Sequence, residues 1–444
     1  MDGASTVSES NSGNAKPPPP PALFSLRWND PSLEQAKRQW WKAMLLGTGL
    51  TTVVVLAVLS IYWGAFWRAP AHAHNLRVAV VDLDQAAIGQ AVVSTFTSAA
   101  VTGAQEQLSY EIAPPGAFAD EQQIIRHVTS ERVWAAIVVA QGASTRLERA
   151  VQSADASYNS SRAIRVFFER ARNENAIPTY IITQTQNALN QFAERFAQQH
   201  AQGLAANGSV DLAKLLTSAP NLVTQPAGFH LVDLHPFDVP VAAAVDFVGL
   251  IYLLVISFLV AINSFNARLP LGFDRRLAYP TLLKLRVFSA LGCYFFISWA
   301  YCLISLFFQV PFSRFHGRGG FVIYWAISYL GMCALGLVLE SMLTLLTMRF
   351  NPFFMILWII LNVSVSFFPI ELLPRIFRYG YAMPFYHVGR AVRTLVFGTK
   401  SYLGLNFGVL IAWIVVAITS LSLALLLTRR RDEAAHRRQL SKAP

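Results

Sequence analysis

The chain has 444 residues, of which 54% are hydrophobic, 12% aromatic and only 14% charged, with 36 Lys plus Arg against 25 Asp plus Glu. A soluble domain carries roughly 25% charged residues, so a string of soluble domains is excluded. The net charge of +11 suits nucleic acid or a membrane. Because the apolar residues gather into bilayer-length runs instead of leaving solvated basic faces, nucleic acid is excluded as a partner.

In chain order, residues 1–36 are rich in Ser, Asn, Gly and Pro and include a run of prolines at 17–21. They read as a disordered cytoplasmic tail whose proline run is a linker. Residues 37–67 form an interfacial helix and a first span: PSLEQAKRQWWK leads into AMLLGTGLTTVVVLAVLSIYWGAFW, with Trp40, Trp41, Trp63 and Trp67 at aromatic-belt positions. A cleaved signal peptide fits less well, because the polar stretch ahead of the run is long and the apolar core exceeds about 7–15 residues.

Residues 68–240 form an external or lumenal α/β domain. LRVAVVD at 76–82, VWAAIVVA at 133–140 and IRVFF at 164–168 are strand-length β-rich runs. Helical patterns cover 86–99, 118–129 and 176–206, and FHLVDLHPFD at 229–238 is extended. Two acceptor sequons, at Asn159 and Asn207, fit a secretory lumen. A third, at Asn362, falls inside a span and is unusable. Cys293, Cys302 and Cys333 all lie in spans, so the external domain is expected to be held by its own core and not by disulfides.

Further apolar runs at 241–265, 287–310, 321–347, 353–370 and 405–428 complete a bundle over 241–428. Each run is near the roughly 20 residues that cross about 30 Å at 1.5 Å per residue. A basic tail follows at 429–444. Cations cluster before span one (Lys37, Arg38, Lys42), between spans two and three (Arg268, Arg275, Arg276, Lys284, Arg286) and after span six. With six spans these flanks share one side, which puts both termini in the cytoplasm. The exception is the segment before span six, which carries Arg375, Arg378, Arg390, Arg393 and Lys400 on the opposite side.

No phosphate-binding G-x-x-x-x-G-K-[ST], H-E-x-x-H, Cys-x-x-Cys or G-x-S-x-G pattern occurs, so no enzyme, cofactor or metal site is expected. His72 with His74, and His230 with His235, lack companions at metal-ligand spacing and read as solvated. Asp82 and Asp84 read as a strand-end turn pair, too few oxygens for a hard cation. Ionisable groups inside spans are costly and mark a pathway or a partner. Asp246 and Glu340 are therefore candidates for a pathway, the alternatives being that they only reach toward the interface or pair with Asn or Arg on a neighbouring helix, and Asn362 joins them.

The most informative stretch is FFPIELLPRIFRYGYAMPFYHVGRAVRTLVFGTK at 367–400. Pro369 ends span five, Pro374 starts a short helix and Pro384 interrupts it. Phe385, Val388, Val392, Leu395 and Val396 then recur at helical spacing, with His387, Arg390 and Thr394 on another face. The element at 371–398, which includes Glu371 and Arg393, is expected to dip into the outer leaflet or pack on the spans. Its arginines would turn to headgroups or to the external domain.

One span, a large external domain and five further spans with a Pro-Glu-containing excursion resemble the ABC-2-type membrane domain of exporters. VAVVDLD, ARNEN at 171–175, HPFDVPVAAAVDFVGLIYLLVISF and YGYAMPFYHVGRAVRTLVFGTKSYLGLNFGVLIAW are similar to the fungal nitrosoguanidine-resistance family. The resemblance covers roughly residues 40–430. It implies a plasma-membrane protein linked to drug tolerance and lipid state, without an attached ATP-binding domain.

The expected fold is an α-helical polytopic membrane protein, with six transmembrane helices and an α/β external domain inserted between the first two. The expected function is export of, or resistance to, toxic amphipathic compounds or lipids. Expected partners are the lipid bilayer, a small amphipathic substrate and a separate ATPase or other membrane subunits, in an oligomer. The alternative is a non-transporting organiser that affects lipid distribution or assembles a partner complex.

Overall fold

The computed structural model describes residues 26–98, 106–206 and 210–440. The proline run and the sequon at Asn207 lie outside the described residues, as does most of the tail expected over 1–36. Five helical runs are long and apolar enough to cross a membrane: Pro31–Phe66, Pro240–Arg268, Tyr279–Phe307, Ser313–Val363 and Leu403–Arg438. The protein is thus a polytopic helical membrane protein.

The segment up to Leu56 is one unit. Asp30 opens it by accepting the Ser32 N–H at 2.9 Å, which caps a single 3-10 turn at Pro31–Leu33. Helix α1 (Glu34–Val54) then buries no side chain, and Trp40, Trp41, Leu45 and Leu46 are exposed. Apolar residues all round a helix mark a lipid-facing surface.

From Ala57 onward the chain forms a second unit. After α2 (Ser60–Phe66) come β1 (Arg77–Asp82), α3 (Ala87–Thr97), β2 (Ser109–Ile112), α4 (Glu121–Thr129), β3 (Ala135–Val139), α5 (Ala143–Ser153), β4 (Ile164–Phe168), α6 (Thr183–Ala206) and β5 (Phe229–Asp233). The strands make one sheet in the order β2-β1-β3-β4-β5. β1, β2 and β3 are parallel, β4 is antiparallel to β3, and β5 is parallel to β4. β3 is buried along its whole length, as a strand covered on both faces must be. On one face Val78, Val80, Ile137 and Ile164 pack with Ile88, Leu147 and Leu189 from α3, α5 and α6. On the other, Val81, Val138 and Phe167 meet Ile124 and Val128 of α4. The α/β reading of this segment therefore describes a three-layer domain, with β2 and β5 added to the three expected strands.

Asp82 and Asp84 are both consumed by local structure. Asp82 accepts the N–H groups of Asp84 and Gln85 at 2.9 and 2.8 Å. Asp84 accepts the Ser144 N–H at 3.1 Å and its hydroxyl at 2.5 Å, which caps α5. Asp84→Ala is expected to cost about 1–2 kcal/mol, the worth of an N-cap carboxylate. A lowered midpoint in denaturant at unchanged helix content would show it.

The apolar bundle comprises α7 (Gly249–Arg268), α8 (Tyr279–Phe307), α9 (Gly320–Val363), α10 (Pro384–Phe397) and α11 (Leu403–Leu440). Hydropathy separates two spans around 347–353, and the helical run there is broken into two helices at Thr347. Only Thr347 leaves helical geometry, at φ 64° and ψ 168°, and Pro352 lies inside the helix. The polar stretch there is too short to form a loop. A kink replaces it, because Pro352 has no N–H to give and crowds the preceding turn. The segment read as span five also ends early, at Val363. A 3-10 turn at Ile370–Leu372 and another at Arg375–Ala382 follow it.

Candidate functional site

Helix α10 is where the sheet domain and the bundle meet. Pro384 occupies its first turn, so it starts this helix and does not interrupt one. Gly398 ends it at φ 77°, with its N–H on the Thr394 carbonyl at 3.0 Å. The expected amphipathic stripe is in fact buried on nearly every side. His387 is 2% exposed and is held by the Asn406 amide oxygen at 2.9 Å and the Tyr381 carbonyl at 2.8 Å. The arginines of α10 consequently turn to the sheet domain and not to headgroups.

Arg393 is the centre of that junction. Its Nε donates to Asp246 at 2.8 Å, its second guanidinium arm pairs with Glu174 at 3.0 Å, and a third contact reaches the Arg172 carbonyl at 3.3 Å. Asp246 stands in a π-turn at Ala244–Val248, just ahead of α7, and its carboxylate is fully buried. Such turns widen the helix and re-aim a side chain. One turn back on α10, Arg390 is ion-paired with Glu131 and donates to the Tyr386 hydroxyl at 3.0 Å. It also stacks 3.7 Å over the Tyr402 ring. Glu131 holds left-handed backbone at φ 57°, a conformation that costs a non-glycine residue about 1–2 kcal/mol. Lys400 completes the seam by donating to the Ser130 carbonyl at 2.8 Å.

From the domain side, the ARNEN stretch follows β4 and presses onto the same seam. Arg172 lies 3.5 Å over the Trp134 ring and donates to the Val133 carbonyl at 2.8 Å, while Asn173 donates to the Phe367 carbonyl at 3.1 Å. Burial lowers the pKa of Arg172 from the usual guanidinium value, and the carboxylates of Glu131 and Glu371 oppose that shift. Burial likewise pushes Tyr386 up to about 12, with Arg390 pulling the other way. Tyr386 therefore stays a neutral hydroxyl.

These groups surround a cavity of about 290 Å³. Arg172, Arg390, Glu371 and Asp246 line it together with Phe368, Tyr381, Phe385 and Tyr402. One oxygen of Asp246, Oδ1, has no hydrogen-bond partner among the described residues. The cavity is amphipathic: aromatic walls carry charged groups of both signs, which suits a compound with an apolar body and a polar head.

Close approach of backbone is required at one point. A Cβ on Gly389 would lie 2.6 Å from the Asp246 carbonyl oxygen. Gly389→Ala is expected to force α10 away from the Asp246 turn and to cost about 1–3 kcal/mol. Thermal unfolding in detergent would register it.

The other sequence candidates fall in different places. Asn362 donates to the Trp358 carbonyl at 2.9 Å and accepts the Phe385 N–H at 3.2 Å, tying α9 to the start of α10. Pro369 lines the cavity, and Glu371 also accepts the Asn75 amide on its carbonyl at 3.0 Å. Asn159 is exposed on the sheet domain and holds the Ser161 hydroxyl at 2.6 Å.

Glu340 is remote from the cavity. Its Oε1 receives Arg286 at 2.7 Å and Arg268 at 3.0 Å, with all three side chains at most 6% exposed. Of the readings left open for it, pairing with arginine on neighbouring helices is the arrangement seen. Two cations counted among the flanks of spans two and three are therefore its buried partners and not solvated topology markers. Glu131 and Glu174 were missed in the sequence, because each lies in an ordinary polar stretch and acquires its meaning only from an arginine far along the chain.

A family model described as "Protein of unknown function (DUF3533)" matches residues 49–419. An uncharacterized endoplasmic reticulum membrane protein of Saccharomyces cerevisiae is 25% identical over 447 residues, covering 93% of this chain and 86% of the relative. No solved structure matches the chain.

Proposed function

We propose, for a chain that belongs to the DUF3533 family of proteins of unknown function, an ABC-2-like role in export of, or tolerance to, amphipathic compounds or lipids. On this reading the bundle crosses the membrane six times, the sheet domain is lumenal or external, both termini are cytoplasmic, and no chemistry is catalysed. Energy would come from a separate subunit. The relative's description as an endoplasmic reticulum membrane protein supports a membrane of the secretory pathway, the endoplasmic reticulum included, in place of the plasma membrane alone.

The count of six is supported by the contacts of α9 on either side of Thr347. Before the kink, Tyr324 meets Ser305 and Glu340 meets Arg286, so this half runs antiparallel to α8. Just before it, Ser341 is bonded to Ser420 of α11 at 3.0 Å, and after it Trp358 packs against Trp413 with ring centroids 5.2 Å apart, a position nearer the start of α11. A chain that turns back at Thr347 crosses twice.

The observation that carries the functional reading is the cavity under the sheet domain, with its aromatic walls and charged groups of both signs. The test is uptake of a fluorescent cationic amphiphile into inside-out vesicles, with native partners retained and ATP or a proton gradient supplied. Tyr402→Ala, which removes the ring under Arg390, is expected to reduce uptake severalfold at equal protein level. Absence of uptake by the parent protein under every gradient would overturn the export reading.

The seam itself favours a second reading, a static organiser, because four cationic side chains weld the domain to the bundle. Spin labels on exposed sites of the domain and of α11 separate the two. A distance that stays fixed while a gradient is applied supports the organiser, and one that changes supports export.

A further inference from the structure

The sheet has a second concavity at the end opposite α10. The N-terminal ends of β1 to β3 and the C-terminal ends of β4 and β5 face the seam, since Val133, Glu131 and the ARNEN stretch all lie there. At the other end, the carboxyl ends of β1 and β3 open onto a crevice of about 960 Å³. β1 is flanked by β2 and β3, and the order of connection reverses between β1 and β3. In open α/β sheets such a reversal point, at the carboxyl ends of the strands, leaves a crevice that no crossover covers, and ligands bind there.

The crevice has a defined charge. All three of its carboxylates are engaged within the protein: Asp82 by its turn, Asp120 by the Gln123 N–H at 2.8 Å, and Glu121 by Arg165 at 2.5 Å. Its cations are not balanced in the same way. Among the described residues, Arg146 is bonded only to the Gln141 carbonyl, at 2.7 Å. Arg162 and His230 are exposed and have no side-chain partner among the described residues. Two guanidiniums are therefore presented without a carboxylate, the arrangement that takes a carboxylate or phosphate through charge-assisted bonds. Around them stand the amides of Gln85, Gln141 and Asn159 and the ring of Phe118. Amides supply both donors and acceptors for hydroxyl groups, and an aromatic face covers the C–H side of a sugar ring.

We propose that this crevice binds a sugar bearing an anionic group, with Arg146 and Arg162 on the anion and the amides on the hydroxyls. The test is calorimetric titration, in nanodiscs, of the full chain made in a host that adds no N-linked sugar. The probes are glucuronate, glucose 6-phosphate, glucose and inorganic phosphate. Saturable binding of glucuronate or glucose 6-phosphate is expected, with neither glucose nor inorganic phosphate matching it. Arg146→Gln and Arg162→Gln are each expected to weaken binding about tenfold, the loss of one charge-assisted contact. Both side chains are exposed, and an unchanged melting temperature of each variant verifies that the fold is intact. The proposal is overturned by equal binding of glucose, by inorganic phosphate binding as tightly as glucose 6-phosphate, by variants that bind like the parent, or by no saturable binding of either sugar anion.

Discussion

Arg393→Ala is expected to destabilise the protein by about 3–5 kcal/mol, the cost of removing one partner from a buried charge network. The side chain is 12% exposed and stands between Asp246, which is fully buried, and Glu174, at 16%. Without the guanidinium, two carboxylates face each other across a space that water hardly enters. Of the two, Asp246 has the less favourable alternative, because its carboxylate is fully buried whereas that of Glu174 is not. The measurement is thermal unfolding in detergent, together with limited proteolysis at the junction of the domain and bundle. Arg393→Lys is expected to recover only part of the loss, since an ammonium cannot serve Asp246, Glu174 and the Arg172 carbonyl in the fixed fork of a guanidinium. A melting curve for Arg393→Ala that overlays the parent's would show that the network does not hold the domain in place.

Glu340→Leu is expected to cause a loss of similar size, about 3–5 kcal/mol, by leaving the two buried guanidiniums of Arg268 and Arg286 without their shared carboxylate. Combining it with Arg268→Met and Arg286→Met is expected to restore most of the stability, because replacing a whole buried ionic cluster by apolar side chains is commonly neutral or better. The yield of folded, monodisperse protein reads out both steps. The contrast with Glu340→Gln separates structure from transport. Gln keeps an acceptor for one guanidinium and so preserves much of the fold. If that variant assembles normally and loses export, Glu340 takes part in the pathway; if it retains export, the carboxylate is only a tie between α7, α8 and α9.

Much of the fold was legible in the sequence wherever one physical rule dominated. Continuous apolar runs announced the spans, and LRVAVVD, VWAAIVVA and IRVFF are buried on both faces of the sheet, so they read as strands without help from context. β2 was not legible: SYEI is a half-buried edge strand whose polar-apolar alternation lasts only four residues, and its assignment comes from pairing with β1. β5 was read as extended chain, for it too is only partly buried. At the candidate site, Asp246, Asn362, Arg390 and Arg393 stood out because polar groups within apolar surroundings are costly. Their partners did not. Glu131 and Arg390 are 259 residues apart, and no local rule links them. The boundary between the fourth and fifth apolar runs was visible as a dip in hydropathy, whereas its form, a kink at one threonine, depends on backbone geometry that composition does not encode.

β4 has a mechanical consequence. Its five residues span about 17 Å at roughly 3.3 Å each, and ladder hydrogen bonds to β3 and β5 brace it on both sides. Arg162 precedes it at the crevice, and Glu169 to Asn175 follow it at the seam with α10. The strand is in effect a stiff strut joined to a load at each end, and a braced strut does not bend. The crevice and the seam held by Arg172, Arg390, Arg393 and Lys400 are therefore the two ends of one braced strand.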